Sequence, residues 1–170
     1  MATTNDIYAE MQRYAPLELA ESWDNPGLLV DCGREVSRVL VTLDITPEVV
    51  EEAAAGGCEL IVSHHPVIFS PLKKLGPRDV SFQLVQKGIS AICMHTNLDA
   101  AEDGVNEVLA GIFGIRDWEV FADGCGRVGE VEPIAVPELA RKAQAVLAGG
   151  ATGPGAALRC RSSLQIPARP

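Results

Sequence analysis

The sequence predicts an α/β protein built on a parallel sheet, and two observations predict it. Short apolar runs bounded by turn residues recur at 38–44, 60–63 and 89–95, with the length and flanks of buried strands. Between them lie segments with apolar residues at helical spacing, opened by Thr46-Pro47 and by Asp79 and closed by Gly56-Gly57 and by Gly88. Strand–helix repeats at this spacing make right-handed crossovers, which leave successive strands parallel.

The elements follow in order. Ile7, Met11 and Tyr14 share one helical face over residues 5–14, with Thr4 or Asn5 as the cap and Pro16 as the stop. Asp24-Asn25-Pro26-Gly27 is a turn, and Leu28 to Val30 a short strand; Trp23 beside it reads as packing. After the strand at 38–44, Thr46 caps a helix whose first position is Pro47 and whose positive end carries Glu48, Glu51 and Glu52. The strand at 60–63 runs into His64-His65-Pro66, and the proline takes the residue before it out of helical geometry. Asp79 opens a helix with Phe82, Leu84 and Val85. The strand at 89–95 leads through the loop TNLDAAEDG to a helix with Val105, Val108, Leu109 and Ile112 on one face. Gly124 to Gly129 spells G-x-G-x-x-G, but no helix opens within it, so it reads as a glycine-rich turn between strands rather than a dinucleotide loop. A last helix runs from Pro137 to about Ala148.

Composition narrows the function classes. The net charge of −9 argues against nucleic acid as a main partner. All 23 acidic residues lie between Asp6 and Glu138, and the five basic residues beyond have no acidic neighbour. No apolar run approaches the ~20 residues of a membrane span, and MATTNDIYAEMQRYA lacks the pattern of an export signal. Five scattered cysteines without C-x-x-C spacing suit reduced thiols in a cytoplasm.

The chemistry collects at the strand ends. Asp44 ends the first predicted strand, His64 and His65 end the second, and His95 ends the third with Asp99 four residues on. Open parallel sheets bind ligands at the carboxyl ends of their strands. All three histidines of the protein and two carboxylates therefore reach one rim. Neighbouring side chains of an extended segment diverge, which suits His64 and His65 to two ions side by side. Imidazole and carboxylate without thiolate suit zinc, iron, manganese or nickel alike. His95 reads equally as a ligand or as a residue behind the ligands. Asp44 reads as a strand-end carboxylate that caps Thr46 or a nearby amide, or as a residue supporting the ligands from behind.

The stretches ESWDNPGLLV, VLVTLDITPEVVEEA, LIVSHHPVIFSPLKKL, AICMHTNLDAAEDGVNEVLA and GCGRVGEV resemble successive blocks of the Nif-three-like family, the type 2 GTP cyclohydrolase I homologues, over residues 5–148. The resemblance implies an α/β fold of two similar halves, a dinuclear metal centre between them, and toroidal homo-oligomers, commonly hexamers. It makes His64, His65 and Asp99 metal ligands, sets His95 beside the centre, and matches Trp23, Asp24 and Asn25 to a motif near its entrance. The implied activity is metal-dependent hydrolysis of a nucleotide-like small molecule; no catalytic residue beyond the ligands is assigned. The other class is a non-catalytic, metal-binding oligomeric scaffold or regulator of protein partners.

The chain also departs from the family pattern, whose remaining ligands are a histidine and a glutamate near the C-terminus. Here no histidine follows His95 and no acid follows Glu138. The expectation is a truncated or frame-shifted member with its second half-domain largely missing. Residues 1–125 then form a metal-binding half-domain, 126–148 the start of a second, and 149–170 a disordered or non-native tail. Such a chain should bind metal weakly and hydrolyse little.

Overall fold

A computed structural model of the chain describes residues 2–148, without the side chains of Asp123 and Ala148. β1 (Ala2–Thr3) runs directly into α1 (Thr4–Tyr14). The cap is Thr3, ahead of the residues expected. Its hydroxyl accepts from the Asp6 N–H while the Asp6 carboxylate accepts from the Thr3 N–H, so each of two orphan donors is satisfied by the other residue's side chain. After a 3-10 turn at Leu17–Leu19 come β2 (Gly27–Val30), β3 (Glu35–Val36) and β4 (Val39–Thr42). β3 pairs with β1 in a separate two-stranded ribbon.

The strand–helix alternation then runs as expected. α2 (Pro47–Ala55) has the Thr46 hydroxyl accepting from the Val49 N–H. It leads to β5 (Leu60–Ser63), α3 (Val80–Lys87) and β6 (Ser90–Cys93). The carboxylate of Asp79 does not cap α3; it accepts from the Gly76 N–H at 2.7 Å and closes the preceding turn instead. The 96–104 loop is not wholly irregular, because it begins with a single helical turn, α4 (Thr96–Ala100), before α5 (Val105–Phe113). β7 (Arg116–Phe121) and β8 (Gly126–Glu130) form an antiparallel hairpin, and α6 (Val136–Ala148) follows. The glycine-rich stretch is the expected turn between strands: a Cβ on Gly126 would lie 2.4 Å from the Phe121 ring, so any larger residue there would have to move that ring.

The main sheet has the order β2-β6-β5-β4. β4, β5 and β6 are parallel, and β2 closes one edge antiparallel to β6. Two cores sit on its two faces, as a sheet covered on both sides demands. Ile61 and Ala91 meet Val49, Val50, Ala53 and Leu84 from α2 and α3, while Leu60 and Ile92 meet Ala15, Met94 and Ala101, with Ile7, Tyr8 and Met11 of α1 against them. The C-terminal elements differ. Of the apolar face expected on α5, Val108 and Ile112 are exposed, as is every residue of β7. No helix among the described residues is long and apolar enough to cross a membrane. Residues 149–170, expected to be a tail without stable packing, lie outside the described residues.

Candidate metal centre

The central strands β5 and β6 end side by side, Ser63 paired with Cys93, and their next residues form the rim. His64 and His65 come directly after β5, and His95 comes two residues after β6. The three rings sit together, with centroids 5.1 Å apart for His64 and His65, 5.2 Å for His64 and His95, and 5.6 Å for His65 and His95. One potential ligand nitrogen from each lies within 4.8 Å of the others, so the three could hold a metal ion. The adjacent histidines do not diverge. Alternation belongs to extended strand, and β5 stops at Ser63, before the pair.

Each ring has its Nδ1 engaged. His64 Nδ1 donates to the Met94 carbonyl at 2.9 Å, His65 Nδ1 to Asp44 Oδ1 at 2.7 Å, and His95 Nδ1 to Asp24 Oδ1 at 2.8 Å. With the proton on Nδ1, the lone pair is on Nε2 in all three. His64 Nε2 lies 3.7 Å from Asp99 Oδ1, which brings the predicted carboxylate to the same cluster. The Asp44 carboxylate thus lies on His65 Nδ1, and the N-cap bond of α2 is made by Thr46 rather than by Asp44.

The antiparallel edge strand explains Asp24. Because β2 runs against β6, with Gly27 opposite Cys93, the turn before β2 arrives at the rim where the parallel strands end. The Asp24 side chain is 0% exposed. Its Oδ1 accepts from His95 and the Asn25 N–H, and its Oδ2 from the Thr96 N–H and hydroxyl. Burial alone would push the Asp24 carboxyl up, but the Thr96 hydroxyl, His95 and the two backbone N–H groups outweigh it and hold the group below its ordinary value. Asp44, by contrast, is 57% exposed.

Asp99 is held from behind by residues that the sequence did not single out. Asn106 Nδ2 donates to the Asp99 and Cys125 carbonyls, each at 3.0 Å. Arg127, 4% exposed, donates to the Ala100, Gly124 and Gly126 carbonyls and to Glu107, tying α4 to the hairpin turn and α5. Cys93 lies under the site with its thiol on the His64 carbonyl; burial, with the Asp24 charge adding to it, pushes that thiol up to about 12. It packs as a neutral group.

Residues 2–158 match the Duf34/NIF3 (NGG1p interacting factor 3) family. The chain belongs to the Duf34/NIF3 family. A Lactococcus lactis member named GTP cyclohydrolase 1 type 2 homolog is 38% identical over 148 residues, covering 83% of this chain and 58% of the relative. The crystal structure of the Staphylococcus aureus protein SA1388 matches with TM-score 0.63 at 40% identity, over 68% of this chain and 40% of that one. Reduced HcgD from Methanocaldococcus jannaschii matches with TM-score 0.76 at 25% identity, over 84% and 59%. This Duf34/NIF3 chain therefore spans less than two thirds of each of these relatives.

Proposed function

We propose that the histidine cluster is a divalent-metal centre and that the protein is a metal-dependent hydrolase of a polar, nucleotide-like small molecule. One observation carries the metal reading: three imidazoles share a rim, each with Nδ1 on a carbonyl or carboxylate and Nε2 available. Metal-bound histidines use their second nitrogen in this way, which fixes the tautomer and makes the ligand more basic. The donor set fits the group. His64, His65, His95 and Asp99 would hold it, and imidazole with carboxylate suits zinc, iron, manganese or nickel.

Four protein donors complete one four-coordinate ion. Shared across a dinuclear centre, they leave each of two ions about two, with water as the remainder, so the second ion should bind weakly. A bound divalent ion supplies Lewis acidity toward a substrate oxygen and acidifies water. The chain's own part is orientation: Asp24, itself bonded by Thr96, holds His95, Asp44 steadies His65 from the solvent side, and Asn106 and Arg127 fix the carbonyls of Asp99 and of Ala100 after it. The test is nucleotide hydrolysis by protein loaded with zinc, manganese or iron(II), run beside His64→Ala. Turnover that needs metal and disappears in the variant supports the reading; metal uptake with no turnover on any nucleotide supports its competitor.

That competitor is a metal-binding scaffold or regulator that associates with itself or with protein partners and turns nothing over. Apolar exposure favours it: Trp118, Val120 and Phe121 on β7 and Val108 and Ile112 on α5 face solvent. The family description, which names an interacting factor, agrees with that reading. Homo-oligomers would cover such a surface, and the mass in solution measures them.

A further inference from the structure

Two large aromatic side chains are left in solvent beside the cluster. Trp23 is 59% exposed and Phe69 52%. Their rings are 6.2 Å apart and tilted by 50°, and Trp23 stands edge-on to His95 with centroids 6.4 Å apart. Packing does not account for them, since neither belongs to either core. They are nevertheless held in place through their chain neighbours. Trp23 precedes the buried Asp24, bonded to His95 and Thr96, and Asn25 Nδ2 donates to the carbonyl of Ile68, next to Phe69, at 2.6 Å. That bond sets the two aromatics relative to each other, and the bonds of Asp24 set them relative to His95.

We propose that Trp23 and Phe69 form a platform that receives a flat heteroaromatic ring and directs its anionic arm toward the histidine cluster. The proposal rests on the metal reading for the arm and on the aromatic pair for the ring. The pair's own spacing of 6.2 Å falls within the 4.5–7 Å between centroids that aromatic groups prefer, and both rings are open to a third. The indole N–H makes no hydrogen bond among the described residues, so it can donate to a ring acceptor. The platform is preorganised, so a ligand does not bear the cost of ordering it. Beyond Phe69 the chain continues into the exposed Lys73 and Lys74, within about 18 Å of chain reach, and neither has an acidic partner among the described residues. In a chain of net charge −9 this is a local place for an anion.

The probe is guanosine monophosphate, with ribose 5-phosphate as the same arm lacking the ring, titrated calorimetrically into the zinc-loaded and metal-free chain. Zinc uptake and solution mass are measured on every variant. The ring should tighten binding by about tenfold or more, the scale of a base stacked on an aromatic side chain. Trp23→Ala and Phe69→Ala should each lose most of that gain, leave ribose 5-phosphate and zinc unchanged, and be matched by recovery in Trp23→Phe. Equal binding of the two probes, or an unchanged ring preference in Trp23→Ala that still takes up zinc, overturns the platform and leaves the metal reading standing. A lower oligomeric state in Trp23→Ala also overturns it, because the pair is then a contact between copies. If the wild type takes up no zinc, the metal reading falls, and the ring preference of the metal-free chain alone decides the platform.

Discussion

Asp24→Asn is the substitution that most directly probes how the site is held. The change keeps size and shape but turns one acceptor oxygen into a donor, in a side chain with no solvent to compensate. If the amide nitrogen takes the Oδ2 position, it faces the Thr96 N–H; the Thr96 hydroxyl can turn to accept, but the N–H cannot. One buried donor is stranded, at a cost of about 1–3 kcal/mol. If the nitrogen takes the Oδ1 position, it faces His95 and the Asn25 N–H. His95 then keeps that bond only by moving its proton to Nε2, which removes its lone pair from the cluster. Either way His95 is less well held, and losing a partner behind a metal ligand typically costs ~10–100-fold in affinity. Competition with a chromophoric chelator measures zinc affinity, and urea unfolding measures stability. Asp44→Asn is the control, since the exposed Asp44 can be replaced on His65 by water, and its effect should be several-fold smaller. Zinc affinity within about twofold of wild type in Asp24→Asn, or a larger loss in Asp44→Asn, would refute the assignment of Asp24 as the holder of His95.

Three further outcomes follow from other contacts. A Cβ on Gly104 would lie 2.1 Å from the Leu98 carbonyl and 2.8 Å from that of Ala101, so Gly104→Ala must displace the end of α4, which carries Asp99; it should cost about 1–3 kcal/mol in urea unfolding and weaken zinc binding. The Asp103 N–H, with Arg127 adding to it, holds the Glu107 carboxyl below its ordinary value, so its stabilisation is complete above the unfolded pKa of about 4.3 and is lost as pH falls through the depressed value. Thermal melts should therefore separate wild type from Glu107→Gln at pH 7 and bring them together toward pH 3. The Cys93 thiol, at about 12, is ionised to roughly one part in ten thousand at pH 8, so a thiol reagent should label it only as the chain unfolds.

The sheet and its helices were legible because their punctuation is local. Thr46-Pro47 and Gly88 mark helix ends within one turn of where they fall, and the runs at 60–63 and 89–95 are too apolar for anything but buried strands. The meeting of His64, His65 and Asp99 followed from topology, since parallel strands deliver their carboxyl ends to one rim. The direction of β2 was not legible: Leu28 to Val30 reads as a strand, but nothing in three apolar residues says which way it pairs. Residue type alone therefore makes Asp24 part of a turn, although it contacts His95 across 71 residues. The resemblance sets Asp24 near the entrance, but nothing in the sequence joins it to His95, so the sequence does not decide between ligand and support for His95. The ribbon of β1 and β3, two residues each, is too short to carry a period at all. On β7, RDWEVF mixes charge and aromatic residues, and every one of its side chains is exposed, so no buried face was there to be read.

The central claim is that His64, His65 and His95 act as one metal centre. The measurement is the zinc content and affinity of the purified chain beside the three single alanine variants, each confirmed as folded by circular dichroism. The account predicts one firmly held ion per wild-type chain and a second held weakly. Each alanine variant should lose more than the ~10–100-fold expected for a supporting residue. Zinc uptake by the wild type no greater than that of a His64→Ala, His65→Ala, His95→Ala triple variant would contradict it.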